Sequence, residues 1–100
     1  MKINILKDIE EKQPTDPFVK YAIALEYEKM GELEQAYAYF EKLIVDFADY
    51  LPTYLLYGNF LEKIGEEEKA KNIYENGMLL AQKQNNSKAM QEIERALFLL

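Results

Sequence analysis

Apolar side chains recur three or four positions apart along most of the chain, the period of helices that turn one face to a core. Over residues 1–15, Ile3, Ile5, Leu6 and Ile9 give a rough helical face, with Asp8, Glu10, Glu11 and Lys12 opposite. A helix this short is marginal alone, since isolated helices need about 12–15 residues or more, so the lead-in has to dock on a neighbour. Gln13-Pro14-Thr15-Asp16-Pro17 then ends it and starts another helix, with Asp16 as N-cap and Pro17 at the first helical position.

The next helix, about 17–30, carries two apolar stripes: Ile23, Ala24 and Tyr27 form one, and Phe18, Tyr21, Ala22 and Leu25 form the other. A helix wet on one side needs only one stripe, so this one has two neighbours, or one neighbour and a ligand. Gly31 supplies a left-handed residue to end it. Glu32 and Glu34 place negative charge at the start of the following helix, where the macrodipole favours it. That helix, about 33–47, presents Ala36, Phe40, Leu43 and Phe47 on one face, with Tyr37 and Ile44 beside them.

The pattern is then written again. KMGELEQAYAYF from Lys29 returns as KIGEEEKAKNIY from Lys63, and a shift of 34 residues carries Gly31 onto Gly65, Ala36 onto Ala70 and Phe40 onto Tyr74. A fixed period in this range marks a repeat architecture. The second copy has helices at about 52–64 and 67–84. Ala24 and Gly58 are small on the first helices, and Ala36 and Ala70 are small on the second. Small against small lets the axes approach, with Tyr27, Phe40, Tyr57 and Tyr74 filling the space on either side. Gly77 sits inside a helix at a cost of roughly 1 kcal/mol relative to alanine, and a close contact with the next helix would be a reason to tolerate it. Asn85-Asn86-Ser87 is a turn and N-cap cluster. After it a last helix, 88–100, turns Ala89, Ile93, Ala96 and Leu97 inward, as a lone helix closing an array does.

Composition narrows the chemistry. The 100 residues contain no cysteine and no histidine, which removes thiolate metal sites, redox chemistry, and the commonest general base and metal ligand. Ser87, Thr15 and Thr53 offer hydroxyls with no imidazole beside them, so no familiar nucleophile–base pair exists. The chain is expected to be non-catalytic, with no cofactor and no metal. A formal net charge of −6 argues against nucleic-acid binding. No apolar run is long enough to span a membrane, and residues 1–12 lack the apolar middle of a signal peptide. With Met1 as the true start, the expected location is the cytoplasm.

The two units resemble tetratricopeptide repeats over about residues 17–84, with 85–100 resembling their solvating terminal helix. Tyr54, Tyr57, Gly58, Gly65, Ala70, Tyr74 and Gly77 carry the resemblance best. The first copy departs from it at Lys20, where an aromatic is usual, at Ala24 for glycine and at Leu43 for the late alanine. The expected organisation is a lead-in helix over 1–15 and a repeat domain over 16–100, with repeats at 17–50 and 51–84 and a capping helix at 85–100. The resemblance implies an all-α fold, a right-handed superhelix of antiparallel helical hairpins whose first helices line a concave groove for a peptide or partner helix. It places Phe18, Tyr21, Leu25 and Glu28 from the first repeat, and Leu55, Asn59 and Glu62 from the second, on the groove side. Of the residues with which some family members clamp acidic C-termini, only Asn59 matches; Tyr21 and Leu25 stand where the first repeat's clamp residues would be. An apolar segment with basic flanks is therefore the expected ligand, given Glu28 and Glu62 at the rim.

Bland readings compete with these. The stripe of Phe18, Tyr21, Leu25 and Leu55 is also what a core would show, covered in cis by Ile5, Leu6 and Ile9. Leu97-Phe98-Leu99-Leu100 reads either as a dimerisation patch or as a terminal helix laid on Gly77 and Leu80. Glu66-Glu67-Glu68 reads as a helix start rather than a cation site. Repeat arrays normally need about three units, and this one has two plus a terminal helix. The missing burial comes from the lead-in helix, a homodimer or a bound partner. The function expected is thus a protein-interaction module, with a self-associating structural domain as the alternative.

Overall fold

A computed structural model describes residues 2–100, and among them there are six helices and no strand: α1 (Lys2–Lys12), α2 (Pro17–Lys29), α3 (Leu33–Asp46), α4 (Pro52–Lys63), α5 (Glu67–Lys83) and α6 (Ser87–Leu99). They form two compact units, one running to Tyr50 and the other from Leu51 to Leu100. The first sets α1 against the α2–α3 hairpin. The second sets α6 against the α4–α5 hairpin.

Helix boundaries follow the local chemistry. Asp16 caps α2 by accepting from the backbone N–H of Phe18 at 2.9 Å, with Pro17 at the first position. Both hairpins turn on a glycine with positive φ, +77° at Gly31 and +83° at Gly65. In each, the residue after the glycine bonds back across the helix end, Glu32 N–H to Tyr27 O and Glu66 N–H to Leu61 O. This is the Schellman closure, which wants a residue without a Cβ at its left-handed position. Asn85 takes the same role before α6 at φ +57°, and Asn86 then caps α6 through the N–H of Ala89.

Ile23, Ala24, Ala36, Phe40 and Leu43 are fully buried in the first unit, as are Tyr57, Leu61, Ala70, Tyr74 and Ala81 in the second. Two expectations change in detail. What Gly58 makes room for is an aromatic ring: a Cβ there would lie 2.0 Å from the Cε1 of Tyr74. Gly77 does admit the next helix, α6, with Ile93 Cδ1 3.1 Å from where its Cβ would be, but the tighter neighbour is Tyr54 Cβ on α4, at 2.6 Å.

The lead-in helix docks differently from the simple apolar reading. Ile3 and Leu6 pack with Val19 and Ile23, beside Tyr27 and Tyr39, whereas Ile5 and Ile9 face solvent. Glu10, expected on the wet side, is turned inward. It accepts from Lys20 Nζ at 2.9 Å and from the Tyr39 hydroxyl at 2.8 Å. The period explains the choice: Ile3, Leu6 and Glu10 lie three and four residues apart and share a face, which Ile5 leaves. Lys7 adds its ammonium over the Tyr27 and Tyr39 rings, 5.6 and 5.7 Å from their centroids.

α6 buries Ile93 and half-buries Ala89, Ala96 and Leu97, but Phe98 is 87% exposed and Leu99 74%. The last turn therefore keeps only part of its apolar surface against the unit.

Candidate functional site

The docking of α1 decides what the first repeat presents. At 3.6 residues per turn, the positions of α2 that α1 engages (Val19, Lys20, Ile23, Glu26 and Tyr27) point roughly opposite to Phe18, Tyr21, Leu25 and Glu28. The lead-in helix thus packs on the Ile23–Tyr27 stripe and does not cover the other. Phe18 is 59% exposed, and Tyr21, Leu25 and Glu28 are half-buried.

Within this first unit the aromatic side chains cluster. The Phe18 and Tyr21 rings are 6.4 Å apart, and Tyr21 meets Tyr50 edge-on at 5.8 Å. Edge-to-face contact is a favoured aromatic geometry. Burial raises the pKa of both Tyr21 and Tyr50, with Tyr50 adding to the shift of Tyr21 and Asp16 to that of Tyr50. Both shifts favour the neutral phenol. Tyr50 joins the expected residues here, and its place at the very end of the repeat, outside any helix, hides it from periodicity.

In the second unit Leu55, Asn59 and Glu62 share a face of α4, one turn apart, and all three are half-buried. Asn59 and Glu62 are held by Tyr74, a ring that fills space between the helices of the second repeat. The hydroxyl of Tyr74, whose ring is fully buried, reaches Asn59 Oδ1 at 2.6 Å and Glu62 Oε2 at hydrogen-bond contact. Burial and then the bond to Glu62 push this hydroxyl well above its ordinary pKa. The signal was present: Tyr74 stands where the first repeat has Phe40, and a hydroxyl added to a buried ring needs a polar partner.

No group of three or more metal-ligating His, Cys, Asp or Glu side chains occurs among the described residues, nor a helix long and apolar enough to cross a membrane. A shallow depression of about 270 Å³ at the start of α5 and end of α6 is lined by Glu67, Glu68, Lys71, Leu97 and Leu100. Its charges are mixed, two glutamates and a lysine.

Comparison with known proteins agrees with this geometry. A family model described as "Tetratricopeptide repeat" matches residues 19–44 and 51–80, one match per hairpin. The crystal structure of the tetratricopeptide repeat domain protein from Salinibacter ruber is 31% identical over 83% of this chain and 92% of its own, with a TM-score of 0.77. A solution NMR structure of the tetratricopeptide repeat domain protein from the same organism is 32% identical over 85% and 86% of the two chains, with a TM-score of 0.81. No match was found among the curated proteins. Repeats of this kind generally mediate protein–protein interaction, and domains built from them are typically non-catalytic scaffolds. With matching residues in both hairpins, over more than half its length, the chain belongs to the tetratricopeptide repeat family.

Proposed function

We propose that the chain is a non-catalytic interaction module that binds a peptide or a helix of a partner protein through the first helix of each repeat. The contact residues are Phe18, Tyr21, Leu25 and Glu28 on α2, and Leu55, Asn59 and Glu62 on α4. The observation that carries this reading is the side of α2 that α1 takes: it packs against Val19 and Ile23 and leaves the Phe18 face with Phe18 59% exposed. An exposed aromatic with a tyrosine and a leucine beside it is suited to an apolar segment. Glu28 and Glu62, on a chain of net charge −6, favour basic residues flanking that segment. The absence of histidine and cysteine from the sequence is in keeping with binding rather than chemistry.

The test is paired affinity capture from a lysate of the source cells, with the intact domain and a Leu25→Glu/Leu55→Glu variant as baits, both checked for helicity and melting. A protein retained by the first and lost by the second supports the assignment. Equal retention by two folded baits counts against it, and unfolding of the variant makes the two leucines core.

A further inference from the structure

The hydroxyl of Tyr74 touches two oxygen acceptors, Asn59 Oδ1 at 2.6 Å and a carboxylate oxygen of Glu62, but a phenol carries one hydrogen. Given to the carboxylate, it makes the stronger, charge-assisted bond. Two oxygens 2.6 Å apart with no hydrogen between them repel, so the Asn59 amide has to supply the second hydrogen. Its oxygen and nitrogen ends exchange by a simple turn of the side chain. The chain of donors then runs from Asn59 Nδ2–H to Tyr74 Oη, and from Tyr74 O–H to Glu62.

That order has a consequence at the surface. Turning the amide carries Asn59 Oδ1 away from the hydroxyl, on a half-exposed side chain one helical turn from Glu62, whose other carboxylate oxygen the Tyr74 bond leaves unused. Two neighbouring acceptors, held from behind by the hydroxyl of a fully buried ring, call for a ligand with at least two donors in a fixed arrangement. A guanidinium has a planar fork of N–H groups, whereas an ammonium is a compact point charge.

We propose that Asn59 and Glu62, set in place by the buried hydroxyl of Tyr74, form a two-acceptor subsite that takes an arginine side chain of the partner. This rests on the reading of the α4 face as a contact surface, and it makes Tyr74 a positioning residue rather than a contact. The first repeat cannot reproduce the device, since it has Leu25 and Phe40 at the positions of Asn59 and Tyr74. Those same residues provide variants with a precedent in the chain, Asn59→Leu and Tyr74→Phe.

The experiment is selection of a displayed library of random twelve-residue peptides on the intact domain. The best binder is then resynthesised with each arginine replaced by lysine or by citrulline, which keeps the shape and loses the charge. Binding is measured on the intact domain, Tyr74→Phe, Asn59→Leu and Glu62→Gln, each checked by circular dichroism and melting. On the intact domain one arginine is required, and its replacement by citrulline weakens binding about tenfold. In Tyr74→Phe and Asn59→Leu the arginine-to-citrulline ratio falls towards one, while the apolar anchors still bind. A merely structural role for Tyr74 would weaken both peptides alike and leave the ratio unchanged, which overturns the proposal. Binders without a required arginine overturn it too, yet leave the contact face standing. Failure of the folded domain to select any peptide overturns both readings.

Discussion

Lys20 on α2 places its ammonium 2.9 Å from the Glu10 carboxylate on α1, at the register where the second repeat has Tyr54. Lys20 is 5% exposed and Glu10 is half-buried, so the pair fastens two helices with its cation largely out of water. Removing one partner of a buried pair leaves the other charge desolvated, which costs far more than replacing both by apolar groups. Glu10→Ala should therefore destabilise the domain by about 2–4 kcal/mol. Glu10→Leu with Lys20→Met should recover most of that loss. Urea unfolding of the three proteins checks both statements, and a double variant no more stable than Glu10→Ala would refute the pairing argument.

The same carboxyl gives a pH dependence of known sign. Burial pushes the Glu10 pKa up, but hydrogen bonds from Lys20 and Tyr39 and the charges of Lys20 and Lys42 outweigh it, leaving the group below its ordinary 4.5. A depressed pKa contributes stability that is fully present above the unfolded value and is lost as pH falls through the folded one. The stability gap between the native chain and Glu10→Gln should be constant near neutral pH and close as the pH drops below 4.5. Unfolding midpoints measured at intervals from neutral pH to pH ~2.5 would show it; a gap that widens on acidification would contradict the assignment.

Gly77 should be intolerant although it sits inside a helix. Alanine there gains roughly 1 kcal/mol of helix propensity, but its Cβ would come within 2.6 Å of Tyr54 Cβ and 3.1 Å of Ile93 Cδ1. Overpacking of that kind costs about 1–3 kcal/mol or more. Gly77→Ala should thus lower the melting temperature, and Asn76→Ala, at the exposed neighbouring position of α5, should leave it equal or slightly higher.

Thr53 is fully buried, and its hydroxyl has no hydrogen-bond partner among the described residues. A desolvated, unpaired hydroxyl is a liability of about 1–3 kcal/mol. Thr53→Val keeps the branched shape and removes the polar atom, so it should raise stability by about 1 kcal/mol. Calorimetric melting decides the sign, and a drop would mean that the hydroxyl is satisfied in solution.

How far the sequence was legible depended on what kind of information each feature used. The turns at Gly31 and Gly65, the cap at Asp16 and the closing helix after Asn86 rest on local chemistry, and local chemistry is written in neighbouring residues. Faces were harder. Ile5 and Ile9 are as apolar as Ile3 and Leu6, and the face that Ile3, Leu6 and Glu10 share is marked as the inner one by Val19, Ile23 and Lys20 on another helix. Lys20 itself stood out as a departure from the family pattern, without saying what it would meet. Tyr74 was legible as a packing ring, but the partners of its hydroxyl were not, because they lie 12 and 15 residues earlier in the chain. Of the candidate site, the apolar stripe of Phe18, Tyr21 and Leu25 was visible from spacing alone, Leu55, Asn59 and Glu62 came only with the family resemblance, and the contacts of Tyr74 with the last two were not visible.

The order of packing bears on how the chain folds. α1 meets α2, α2 meets α3, α4 meets α5 and α5 meets α6, so the main helix contacts lie between elements adjacent in sequence, with a smaller contribution from α4 on α6. Topologies built of near neighbours close short loops and reach the native state in microseconds to milliseconds. Each half is closed by contacts between sequence neighbours about a glycine turn, so neither has to wait for a distant part of the chain before its helices meet.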